Sequence, residues 1–161
     1  GPNSEARNGK QYDIRSFKVA RFSKGCPGKD IDGIGCVYQL PSYSPIKAGS
    51  DEMKKWDPNW TAEKLGYHSN MASEDNYWAG AKKACDELGM SLPDESKLQS
   101  IYKANKKDSS LGLPTHDFWS SSEGEGGYVA YYAIRVAFDN GGSSYYHGKN
   151  GGGIKVLCVG D

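Results

Sequence analysis

Residues 118–142 read FWSSSEGEGGYVAYYAIRVAFDNGG, an aromatic and serine cluster, a glycine-acid loop and then a strand that ends in a glycine turn. Tyr128, Ala130, Tyr132, Ile134, Val136 and Phe138 recur at every second position, the period of a strand with one apolar face. DNGG at 139–142 is a strong hairpin-turn signal, because its glycines and asparagine accept backbone angles that other residues resist. Trp119 is expected to anchor the core at the entry to the strand region, with Glu123 and the polar residues after it pointing outward. The flanking segments, SSSEGEGGY at 120–128 and NGGSSYYHGKNGGG at 140–153, combine turn-forming glycines with Tyr, Ser, Asn and His. Such residues offer rigid amphipathic contact area and adaptable hydrogen bonds. They make Ser121, Ser122, Glu123, Glu125 and Tyr128 candidate ligand contacts in the first segment. The candidates in the second are Asn140, Ser144, Tyr145, Tyr146, His147, Lys149 and Asn150.

Upstream lie two amphipathic patterns. In SEDNYWAGAKKACDELGM, residues 73–90, Ser73 is expected to cap a helix whose first turn holds Glu74 and Asp75 and which Gly89 closes. Trp78, Ala81, Cys85 and Leu88 form its apolar stripe. LPDESKLQSIYKANKK, residues 92–107, predicts a second helix capped by Asp94, with Leu98, Ile101 and Tyr102 facing inward. Farther upstream, residues 1–10 read as a frayed tail, 12–22 as a strand and 24–36 as a turn. Pro41, Pro45 and Pro58 punctuate an irregular stretch relieved by a short helix capped by Thr61, in which Trp56 and Trp60 are expected to cover a core. IKVLCV at 154–159 closes the pattern as a buried strand. Helices followed by antiparallel strands predict an α+β domain over 11–161: two helices on a twisted antiparallel sheet, with a long irregular loop region.

Composition narrows the function classes. A chain of 161 residues fits one domain. Its 20 basic and 20 acidic side chains cancel, leaving no electrostatic footprint for nucleic acid. No apolar run is long enough to insert in a bilayer. Gly1-Pro2 reads as the scar of a cleaved expression tag, so a leader or anchor ahead of Asn3 could have been removed. The four cysteines, Cys26, Cys36, Cys85 and Cys158, allow three connectivities, and the turn between Cys26 and Cys36 suits a local staple. No CxxC occurs and the three histidines are scattered, so disulfides in an oxidising compartment are expected rather than zinc.

The ordered motifs A..AC..LG, LP..S.L..I, FWSSSE, A.......F..G and a lysine followed by a terminal VLCV resemble the bacterial C-type-lectin-like domain of collagen-like adhesins and related surface proteins. The likeness spans roughly residues 77–159. It implies a bridge between Cys85 and Cys158 and a ligand held by the long loops. The partner is then a glycan or a protein, on another cell or within a surface fibre. Alternatives are the globular head of a type IV pilin-like subunit with a structural role, or a hypervariable protein diversified by a retroelement. The EPN, QPD and WND signatures of calcium-dependent sugar binding are absent, and the cysteines suit structure better than the reactive pair of formylglycine-generating enzymes. The expectation is a binding module with no catalytic residue, no cofactor and no metal. Glu123, Glu125, Asp139 and Asn140 supply oxygens of the type calcium prefers, in two loops expected to approach each other, but in no spaced calcium-loop motif. Metal-independent contact through Tyr128, Tyr145, Tyr146 and Asn150 is expected instead.

Overall fold

A computed structural model of the chain describes residues 25–124 and 128–160. The expected tail at 1–10, the strand at 12–22 and the candidate contact Glu125 lie outside the described residues.

The architecture is α+β, with four α-helices and two small antiparallel sheets among the described residues. Strands β1 (Lys29–Ile31) and β2 (Gly35–Gln39) form a hairpin, and β2 also pairs with the last strand, β6 (Leu157–Gly160). The second sheet is a meander of β3 (Asp117–Glu123), β4 (Tyr132–Ala137) and β5 (Ser143–Gly148). Between the sheets come α1 (Met53–Trp56), α2 (Ala62–Leu65), a 3-10 segment (Gly66–Ser73), α3 (Tyr77–Glu87) and α4 (Glu95–Lys107). The single sheet expected from the sequence is therefore split, and one parallel bridge, Phe118 to Lys155, links β3 to the approach of β6.

Three of the four helices, α2, α3 and α4, start where a side chain accepts an otherwise unpaired backbone N–H, whereas α1 has no side-chain cap. Thr61 accepts from Lys64 N at 3.2 Å and Asp94 from Lys97 N at 2.8 Å, as the sequence suggested. The cap of α3 is Asn76 rather than Ser73: Asn76 Oδ1 accepts from Ala79 N at 2.8 Å, while Ser73 Oγ donates to Asn70 O inside the 3-10 segment. Glu74 and Asp75 consequently precede the helix.

Trp78, Ala81 and Cys85 of α3 pack with Trp119, Ala133, Val156 and Cys158 in one apolar cluster. Leu98 and Ile101 of α4 pack with Phe118, Val136, Phe138 and Leu157 in a second. A third, built from Ile46, Met53, Trp60, Leu65, Met71, Ala79 and Ala130, lies under the proline-rich stretch, with Trp56 against it. Disulfides join Cys26 to Cys36 and Cys85 to Cys158, as expected. Trp119 is fully buried.

The alternation over 128–138 extends beyond the strand. β4 begins at Tyr132, and Tyr128 lies in a turn closed by Tyr131 N donating to Tyr128 O at 3.0 Å. Ala130, buried in the third cluster, pins this turn, which leaves Tyr128 45% exposed.

Candidate ligand-binding surface

The register of β4 separates the candidates into groups. Glu123 faces Ala133, and His147 and Gly148 face Ala133 and Tyr132, so all gather at the start of β4. Asp117 faces Ala137 and Ser143 faces Val136, so Asp139 and Asn140 lie beyond the other end. The two loops do not converge. Glu123 cannot share an ion with Asp139 and Asn140, and among the described residues no group of three or more His, Cys, Asp or Glu is placed to hold a metal.

Several candidates have structural duties. Asn140 Oδ1 accepts from Gly142 N at 2.7 Å within the hairpin turn, which docks on α4 through Gln99 Nε2 donating to Gly141 O at 2.9 Å. Ser121 N donates to Pro93 O at 2.8 Å, and Ser122 Oγ accepts from Glu95 N at 3.0 Å. Both therefore hold the start of α4. Ser144 faces Arg135 in the β4–β5 ladder. His147 Nδ1 accepts from Arg135 Nε at 3.0 Å, and its ring meets Trp119 edge-on. Burial, reinforced by the Arg135 charge, pushes its pKa below the usual value.

Lys149 and Glu123 depart furthest from expectation. Lys149 is 0% exposed: its Nζ donates to Asp57 Oδ2 at 3.0 Å and to Glu123 Oε2 at 2.7 Å, and it lies 4.2 Å from the Trp78 ring centre. A buried ammonium needs such partners, since unpaired charge is costly away from water. Glu123 is thereby held inward and also accepts from Asn59 Nδ2 at 3.3 Å. Asp57, only 1% exposed, accepts from Asn76 Nδ2 at 2.9 Å and from Asn59 N at 3.2 Å.

Next to this charged cluster is a surface of aromatic rings. Lys149 N donates to Tyr131 O at 3.0 Å, joining the two. His68 stacks on Tyr131 with centroids 4.0 Å apart, and Tyr131 leans on Tyr132 at 4.4 Å. Tyr132 meets Tyr128 at 5.7 Å and Tyr146 at 5.6 Å, both edge-on. Tyr146 is 66% exposed. Asn150 Nδ2 donates to Glu74 Oε1 at 3.1 Å, adding a polar edge. Two glycines permit the close packing. A Cβ on Gly124 would come within 2.7 Å of Tyr132 Cβ, and one on Gly148 within 2.7 Å of Asn150 Oδ1 and 3.2 Å of Tyr131 Oη. Tyr145, on the same strand as Tyr146, is 38% exposed.

Of the sequence-derived candidates, Tyr128, Tyr146 and Asn150 thus meet on or beside one surface, with Glu123 and Lys149 at its buried flank. His68, Tyr131 and Tyr132 are essential parts of that surface and were not singled out. The Tyr131-Tyr132 doublet was the available signal, whereas nothing local marks His68. Compared with family models, with curated proteins and with solved structures, the chain matches none.

Proposed function

We propose that the domain is an extracellular recognition or adhesion module of C-type-lectin-like type, displayed at a bacterial surface and binding a glycan or protein ligand without a metal. The observation that carries this reading is the packed cluster of Tyr128, Tyr131, Tyr132, Tyr146 and His68, in which Tyr128 and Tyr146 are exposed and the other three rings half-buried. Tyrosine rings present large flat contact area at small conformational-entropy cost, and each hydroxyl adds a directional hydrogen bond. Mutual packing holds the rings in place before the ligand arrives, which lowers the cost of ordering them. Asn150 and Glu74 supply amide and carboxylate groups at the edge. The two disulfides support the oxidising setting. Among the described residues no helix is long and apolar enough to cross a membrane.

A glycan and host-protein array, run with calcium and with chelator, tests the reading. Binding should survive chelation and fall at least about tenfold in Tyr146→Ala, the scale of losing one well-packed aromatic contact. Ligand capture only with calcium, or unchanged in both Tyr146→Ala and Tyr128→Ala, would remove the tyrosine surface from the proposal.

A further inference from the structure

The recognition surface makes no use of the buried charges beside it. Lys149 Nζ lies 3.0 Å from Asp57 Oδ2, across 92 residues of sequence, with both side chains at most 1% exposed. Glu123 Oε2 touches the same ammonium at 2.7 Å, and its side chain is 28% exposed, so it connects the buried pair to water. Asn76 Nδ2 and Asn59 N donate to the two different oxygens of Asp57. The Trp78 ring walls the site at 4.2 Å from Nζ, and Lys82 Nζ sits 3.7 Å over that same ring. An amine, a carboxyl, a proton relay and donors that polarise the carboxyl are thus preassembled in a dry site.

From this geometry we propose that Lys149 and Asp57 condense spontaneously into an intramolecular amide, with Glu123 as the proton relay. Glu123 takes a proton from the Lys149 ammonium and delivers it to the Asp57 carboxylate. The freed amine attacks Cγ of Asp57, forming the N–C bond. The negative charge that develops on the carboxyl oxygens falls where Asn76 Nδ2 and Asn59 N already donate. Glu123 then moves a proton from the new N–C nitrogen to the departing oxygen, and the C–O bond breaks. Ammonium plus carboxylate become one amide and one water, and Glu123 ends as it began.

Two physical terms favour the step. Reacting groups held in contact gain effective molarities of about 10⁵ M or more. Condensation also replaces two desolvated ions by a neutral, hydrogen-bonding amide, and buried ion pairs are often less stable than the uncharged groups that replace them. The more usual dehydration of an aspartate, cyclisation onto the next backbone nitrogen, is closed to Asp57, because Pro58 follows it and has no N–H.

The test is the intact mass of the full chain with all four cysteines reduced. A bridged chain is lighter than its sequence by one water, and trypsin releases a branched peptide joining 56–64 to 136–155, uncut after Lys149. Lys149→Arg should restore full mass. Asp57→Asn should reach the same mass as the bridged wild type, by expelling ammonia instead of water. Glu123→Gln should leave a full-mass fraction under conditions in which the wild type is fully bridged; complete bridging at the wild-type rate would take the relay role from Glu123. The wild-type mass does not depend on any variant folding. A reduced wild-type chain at its full sequence mass would show that the pair stays ionic and would overturn the proposal.

Discussion

Trp119 Nε1 donates to Tyr43 Oη at 3.1 Å, and that hydroxyl donates onward to Ile154 O at 2.6 Å, so one chain of hydrogen bonds ties β3 to the proline-rich stretch and to the approach of β6. Trp119→Ala would open a cavity in the largest cluster and strand this chain, and should cost about 3–5 kcal/mol in chemical denaturation. Tyr43→Phe, which keeps the ring and removes only the hydroxyl, should cost about 1 kcal/mol. Burial raises the Tyr43 phenol to about 12 despite the Trp119 hydrogen bond, which pulls the other way. The unfolded chain ionises near 10.0, so it sheds a proton that the folded chain retains. Stability from this group is complete below pH 10 and declines as pH rises toward 12, and Tyr43→Phe should flatten that alkaline limb.

His147 works in the opposite direction. Its folded-state pKa lies below the ordinary imidazole value of about 6.5, because burial and the Arg135 charge both resist the imidazolium. On acidification through pH 6.5 the unfolded chain takes up the proton first, so folding stability falls as pH drops toward the folded-state value. Melting temperature followed from pH 8 to pH 5 should show a loss that His147→Gln reduces. An identical acid limb in the variant would assign the loss to other groups.

The two disulfides should differ in strength. Cys85–Cys158 closes a separation of 73 residues and Cys26–Cys36 one of 10. On the chain-entropy account these stabilise by about 4.5 and 2.5 kcal/mol respectively. Paired serine substitutions, compared by denaturant titration, should reproduce the order. Equal losses would indicate that strain or residual structure in the unfolded chain outweighs loop entropy.

Gly80 offers a test against helix propensity. It sits inside α3, where alanine would ordinarily stabilise by nearly 1 kcal/mol. A Cβ at this position would collide with the backbone carbonyl of Ser44, which has no flexible end to swing aside. Gly80→Ala should therefore destabilise by about 1–3 kcal/mol. A more stable variant would mean that the 40–46 segment yields easily.

The parts of the fold legible in the sequence were those fixed by neighbours a few residues apart. The Thr61 and Asp94 caps, the stripe through Trp78, Ala81 and Cys85, and the turn at 139–142 are all local patterns. The Asn76 cap escaped because both Ser73 and Asn76 satisfy the local rule, and the choice rests on distant partners. Asn76 exchanges two 2.9 Å backbone hydrogen bonds with Ile46 and reaches Asp57. Lys149 was misplaced for a similar reason. Among glycines and asparagines a lysine looks solvated, while its carboxylate partners are 92 and 26 residues away. The tyrosine surface was half visible, since Tyr128 and Tyr146 stand among turn-forming residues that mark candidate contacts, but the stacking of His68 on Tyr131 is set by tertiary packing alone.

The pairing of Cys36 with Gly160 across β2 and β6 has a mechanical consequence. Because Cys36 is also bonded to Cys26, tension applied between Cys26 and Gly160 would run through one covalent link and then load the hydrogen bonds of the β2–β6 ladder. Should that ladder yield, Cys158 remains tethered to α3 through Cys85, so the next load falls on a second covalent link. Tyr128, Tyr132 and Tyr146 belong to the other sheet and its adjoining turn, aside from this line of force. A tether pulling at those two points would strain the first sheet while the rings kept their mutual geometry.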